Sequence, residues 1–340
     1  MPLAVYVQTN DASENEVIAF RRAEDGRLAL LGRFPTGGRG TGEPFLASAG
    51  SVVLSADGRW LLVVNAGSDE VSLFEVEPDG LRLADRAGSG GSTPTSVAVS
   101  GALVYVLNNG TPGISGFSLA DSKLTALEGS ARPLSAPGAD PAHVSFTVGG
   151  GGLIVTERGT DSISCYVIDE RGYAQGPATI KSSGQTPYGF GFVSDGSLIV
   201  SEAFGGAPGA AAASSYAVSE TGELKVISES VGDTRSEVCW VVVTKDDRYA
   251  FVTNFGDGTV SSYEITADRG LKLANPVAGS TGRGQKGLRD EAITGDGRFL
   301  YAIDPGAQTL VGWAVGQNGQ LAPVGELGDL PATVAGLAAS

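Results

Sequence analysis

The sequence predicts an all-β fold: a seven-bladed β-propeller with four-stranded antiparallel blades, forming one domain over residues 1–340. Three observations carry this prediction. An apolar strand ending in a polar residue recurs seven times; Gly and Asp turns separate alternating apolar segments throughout; and the two ends of the chain hold complementary parts of one blade.

The recurring strands read VYVQT to Thr9, LLVVN to Asn65, VYVLN to Asn108, LIVTE to Glu157, LIVSE to Glu202, AFVTN to Asn254 and LYAID to Asp304. Their landmark residues lie 43 to 56 positions apart, the length of a four-stranded blade and too long for a leucine-rich repeat. Before each landmark strand after the first comes another apolar strand and a short turn such as Asp57-Gly58, Asp195-Gly196 or Asp296-Gly297. After it comes an alternating strand, as in VSLFEV (71–76), ISCYVI (163–168) and VSSYEI (260–265), then a turn and a short final strand. Period-2 alternation with 51 glycines marks strands, and no stretch sustains a helical period. The chain opens directly on a landmark strand, while Pro331 to Leu337 reads as the missing first strand of that blade. The last strand therefore closes the ring, removing open sheet edges.

Composition narrows the function. Lys+Arg 23 against Asp+Glu 38 leaves a formal charge of −15, which repels phosphate backbones and anionic lipid surfaces; nucleic-acid and membrane binding are not expected. One His and two Cys exclude a multi-histidine zinc centre, a CxxC pair and a disulfide scaffold, and Cys165 and Cys239 read as packed thiols in different blades. No basic region followed by a long apolar run opens the chain, so a cytoplasmic location is expected. Gly282 to Gly287 matches GxGxxG, but a strand follows where a dinucleotide site needs a helix.

Alternation of strand direction sorts the loops onto two faces. Short hairpins share one face; the longer segments Gly37–Ala49, Ser130–Pro141, Ala203–Ser214 and Ala274–Leu288 share the other, where a site is expected at the channel mouth. Aligned repeats place Ser51, Ser96, His143, Gly189, Trp240, Asp290 and Thr333 around that mouth. Glu157 ends the strand beside His143, so it is expected to orient the imidazole as a general base, with Arg158 binding a substrate anion or an oxyanion. Glu202 is the equivalent landmark of the next blade, and Arg289-Asp290-Glu291 is a second charged cluster where other blades are small or apolar. Trp240 reads either as a stacking platform for substrate or as a plug filling the channel.

These residues resemble the lactonase family of seven-bladed propellers, which includes 6-phosphogluconolactonases and carboxymuconate-cyclising enzymes. Pro141-Ala142-His143 resembles the family's Pro-x-His motif, and Glu157-Arg158-Gly159 with Ser162-Ile163 is similar to its Asn-Arg-Gly-x-x-Ser-Ile segment. Thr186-Pro187-Tyr188-Gly189-Phe190 resembles its Thr-x-Pro-Arg-x-Phe motif, with Tyr188 standing where that motif has Arg. The resemblance implies hydrolysis of a small sugar or organic-acid lactone without metal or organic cofactor. Catalysis would fall to His143, Glu157 and Arg158, and substrate binding to Glu202, Tyr188, Trp240, Arg289 and Asp290. Phe251-Val252-Thr253-Asn254 separately resembles the YVTN repeats of binding propellers, so a non-catalytic ligand- or protein-binding propeller is the alternative. An open mouth exposing His143 is expected of the enzyme, and a mouth plugged by Trp240 and Tyr188 of the binding protein.

Overall fold

Each landmark strand pairs antiparallel with the strands on either side of it, and the computed structural model, which describes residues 3–219 and 222–340, arranges these units as seven sheets. We number them as blades 1 to 7. Their innermost strands are Ala335–Ala339, Val52–Leu54, Pro94–Ser100, Pro141–Phe146, Pro187–Phe192, Val238–Val243 and Arg289–Ile293. Among the described residues the only helical segment is the 3₁₀ turn Phe204–Gly206, and no helix is long and apolar enough to cross a membrane.

The ring closes in blade 1, where Ala335–Ala339 pairs antiparallel with Ala4–Gln8. This strand starts four residues later than the apolar Pro331–Leu337 run suggested. Thr333 precedes it and donates its hydroxyl to the Thr9 carbonyl at 2.7 Å. In blade 3 the outermost strand is broken into Lys123–Ala126 and Arg132–Pro133, both pairing with Gly113–Ala120.

Local chemistry sets the turns at the short-loop end. In Asp57-Gly58, Asp195-Gly196 and Asp296-Gly297 the aspartate accepts the backbone N–H two residues on, at 3.1, 3.0 and 3.0 Å. Val, Ile and Leu from the second and third strands fill the space between blades. Buried tyrosines stitch blades together, with Tyr105 donating to the Gly172 carbonyl and Tyr263 to the Val231 carbonyl, both at 2.8 Å.

Two features of the inner strands position the site. Six of them carry a bulge near their start, at Ala335/Leu337, Pro94/Ser96, Pro141/His143, Pro187/Phe190, Val238/Trp240 and Arg289/Glu291, which redirects neighbouring side chains. Burial also changes along their length. The starts are buried, whereas Val53-Leu54, Val99-Ser100, Gly191-Phe192, Val242-Val243 and Ala292-Ile293 are half-buried. The channel is thus closed where the long loops meet, and solvent reaches it from the short-turn end.

Candidate active site in the central channel

The landmark residues serve the scaffold. Asn65 donates to the Ser72 hydroxyl and Asn254 to the Ser261 hydroxyl, both at 2.8 Å, across to the third strand of the same blade. Glu157 and Glu202 take the same place. Glu157 accepts from Ser164 at 2.5 Å, Thr160 at 2.9 Å, the Ser135 amide at 3.2 Å and the Ser135 hydroxyl. Glu202 accepts from Ser214 and Ser230 at 2.6 Å, the Gly184 amide at 2.7 Å and Ser182 at 3.2 Å. Both carboxylates are fully buried and satisfied. The expected Glu157–His143 dyad is therefore not formed, and Glu202 is not available to a substrate. The bulge between Pro141 and His143 puts Glu157 opposite Pro141 and leaves Thr156 opposite His143.

The long-loop mouth is plugged. Tyr188 and Trp240 are buried, their rings 5.3 Å apart, and the Trp240 indole donates to the Ser48 carbonyl at 3.2 Å. Arg158 lies 5.1 Å from the Tyr188 ring and pairs with Asp140 at 2.7 Å, so its charge is engaged. On the other side Phe45 packs against Phe255, and the Arg289 guanidinium lies 5.7 Å from the Phe45 ring while donating to the Val334 carbonyl at 2.9 Å. Neither arginine bonds to His143.

Beneath the plug lies a channel cavity of about 260 Å³, lined by Gly50, His143, Phe190, Trp240, Asp290 and Glu291 among others. His143 is half-buried, with its ring 4.2 Å from that of Phe190. Its Nδ1 accepts the Phe190 amide at 3.3 Å, which leaves the proton on Nε2. Desolvation drives its pKa down to about 3, so the imidazole is a neutral hydrogen-bond donor and a poor base. Asp290 sits in the blade 7 bulge at φ 46°, which lets consecutive residues 290 and 291 both face the cavity. Burial pushes Asp290 up to about 6, against the opposing pull of Arg289, the Gly336 amide and the Trp240 indole, and its Oδ2 has no hydrogen-bond partner.

Glu291 is the residue that aligning the repeats on His143 underrated. It pairs with Ala302, two positions before the landmark Asp304. The residues at this register in the other blades are Val52, Val97, Val144, Phe190, Val241 and Leu337. Counting back from the landmark, rather than forward from the strand start, would have exposed the exception. Both Glu291 oxygens are buried, and burial pushes its pKa well above the carboxylate range against a weaker pull from the side chain and backbone of Thr253, which faces it.

The sequence profile of the lactonase family of seven-bladed β-propellers matches residues 5–132 and 200–333. The chain belongs to this family. The architecture is similar to that of a periplasmic gluconolactonase of Pseudomonas aeruginosa, at a TM-score of 0.77 and 16% identity over 99% of each chain. It is also similar to a Bacteroides fragilis protein provisionally assigned as a 6-phosphogluconolactonase, with a TM-score of 0.76 and 18% identity over 98% of this chain and 97% of that one. At such identities the likeness shows the fold. An uncharacterized protein of Staphylococcus aureus is 26% identical over 113 residues, 31% of this chain and only 33% of its own length.

In this lactonase-family propeller the cavity brings together His143, Asp290, Trp240 and Glu291, and leaves Glu157, Glu202 and Arg158 outside its lining. Among the described residues no group of three or more His, Cys, Asp or Glu is arranged to hold a metal ion. Among the lining residues, burial raises the Asp290 carboxyl to about 6 and pushes the Glu291 carboxyl upward, and the His143 imidazole is a neutral donor, so Asp290 and His143 are suited to moving a proton off water beside a polarised carbonyl.

Proposed function

We propose that this protein hydrolyses a small lactone in its central channel. The observation that carries the reading is Asp290, a buried carboxyl whose Oδ2 makes no hydrogen bond, on the lining of the cavity that His143 also lines. Asp290 removes a proton from water as the water oxygen bonds to the lactone carbonyl carbon. The His143 Nε2–H is the candidate donor to the carbonyl oxygen as negative charge grows there. The tetrahedral adduct then collapses, the ring C–O bond breaks, and the departing alkoxide takes the proton held by Asp290 to give a hydroxy acid. Family membership supports the reaction class, and the buried pair of acids with separated pKa values supports the channel as its place.

The test is turnover of uncharged sugar and organic-acid lactones by wild type, Asp290→Asn and His143→Ala. Loss of about a hundredfold or more in kcat/KM for Asp290→Asn, with the fold retained, is the expected result. Equal rates would remove Asp290 from the mechanism. The plugged mouth favours a second reading, a propeller that binds without catalysis, and absence of turnover across the lactone panel would select it.

A further inference from the structure

Between His143 and solvent the side chains of the channel wall are apolar. The inner strands run from the plugged mouth toward the short turns, so His143 and Asp290 lie near strand starts, while Leu54, Ile293 and Ala339 end their strands. Val53, Leu54, Ala292, Ile293 and Ala339 line the cavity and are only half-buried, so this stretch of wall meets solvent. Among the described residues, Ile293 joins none of the apolar cores between blades. The described lining contains no Ser, Thr, Asn, Gln, Lys or Arg. Of its polar side chains, the Trp240 indole is engaged by the Ser48 carbonyl and Glu291 is buried against Thr253, which leaves His143 and Asp290.

This order of groups along the axis constrains the ligand. A lactone ring that enters from the short-turn end and reaches His143 leaves its substituent beside Val53, Leu54, Ala292, Ile293 and Ala339. An alkyl group there displaces water from apolar surface, which gains about threefold to fourfold in affinity per buried methylene. A sugar hydroxyl in the same place gives up its water and finds no side-chain partner. The free edge of each inner strand turns backbone groups toward the axis only at every second residue, so the side chains decide which substituent the wall accepts. At about 30 Å³ for a water-sized group, the cavity of about 260 Å³ holds a lactone ring and a short substituent, and a longer chain emerges into solvent.

We infer that the channel is selective for lactones bearing a short alkyl substituent over polyhydroxylated sugar lactones, with Leu54 and Ile293 as specificity-determining residues. The inference rests on the channel being the lactone site. Its test is calorimetric binding of three hydrolysis-resistant lactams: the unsubstituted six-membered ring, its propyl derivative and the gluconic lactam. Wild type is expected to bind the propyl compound about tenfold or more tightly than either of the others. The ring resonances of His143, the single histidine, should shift on binding and report its place. In Ile293→Gln and Leu54→Gln, checked for folding by their melting temperatures, the advantage of the propyl compound over the unsubstituted ring should fall to about threefold or less. A gluconic lactam bound as tightly as the propyl compound, a propyl group that adds nothing, binding that leaves the His143 resonances unmoved, an undiminished advantage in the folded variants, or binding of none of the three would overturn the proposal. Steady-state turnover of the matching lactones separates it from the hydrolysis reading. Propyl-selective binding without turnover sinks hydrolysis and leaves the selectivity, while equal turnover of gluconic and alkyl lactones does the reverse.

Discussion

The Ser164 hydroxyl donates to Glu157 at 2.5 Å across the same seven-residue step that joins Asn65 to Ser72 and Asn254 to Ser261. A glutamate that looked exceptional among the landmarks is thus a structural cross-strand link. Replacing it with alanine leaves the Ser135 amide and the Thr160 and Ser164 hydroxyls without their acceptor. Glu157→Ala should therefore cost about 2–4 kcal/mol in chemical denaturation, with kcat/KM on lactones within about threefold of wild type. A large catalytic loss at unchanged stability would restore Glu157 to the active site.

His143 imposes a pH dependence of its own, because it is the only histidine. Its folded pKa, about 3, lies below the ordinary 6.5. The unfolded chain therefore takes up this proton first, and the contribution to stability is full above 6.5 and lost as pH falls toward 3. Asp290 and Asp233, both raised to about 6, act in the opposite sense over part of that window. The difference between His143→Gln and wild type isolates the histidine: the urea midpoint of the variant should gain on wild type as pH drops from 7 to 4. A constant difference would show that the imidazole titrates normally in the channel.

Asp290 predicts a trade between stability and activity. Its folded pKa of about 6 exceeds the ordinary 3.8, so the ionised form is disfavoured in the folded state. The cost is absent below 3.8, grows through the window to about 6 and is complete above it. At 1.36 kcal/mol per unit the shift amounts to about 3 kcal/mol. Asp290→Asn should lack this pH-dependent loss, so its stability relative to wild type rises between pH 4 and pH 8 while turnover collapses. Denaturant midpoints at both pH values, with rates measured on the same preparations, make the comparison.

The fold could be read from sequence because the signals that specify it are local: alternation within six or seven residues, Asp-Gly turns, and landmarks spaced one blade apart. Site geometry was less legible. The bulge between Pro141 and His143 shifts the register by one residue, so Thr156 rather than Glu157 lies opposite the imidazole, while Glu157 bonds Ser164 as every such landmark bonds its third strand in blades 2, 4 and 6. Sequence did place His143, Trp240 and Asp290 together, since all three follow the same blade alignment. It offered a mouth plugged by Tyr188 and Trp240 only as one of two alternatives, because their contact joins different blades through side-chain directions that no repeat pattern encodes.

Gly50 offers a way to disturb the imidazole without touching it. Its φ of +74° belongs to the left-handed region, and a Cβ added there would lie 3.2 Å from His143 Cδ2 and Nε2 and 3.0 Å from Ser96 Oγ. The imidazole has little room to retreat, being packed on Phe190 and held through Nδ1 by the Phe190 amide. Backbone strain and the close contacts should make Gly50→Ala less stable by about 1–3 kcal/mol. If the Nε2–H polarises the substrate carbonyl, the lactone rate should fall by about tenfold or more, since small misplacements of a donor are costly in catalysis. The single histidine provides a clean spectroscopic probe, and its ring resonances should move in the variant. Shifted resonances with an unchanged rate would mean that the imidazole lines the channel without taking part in the reaction.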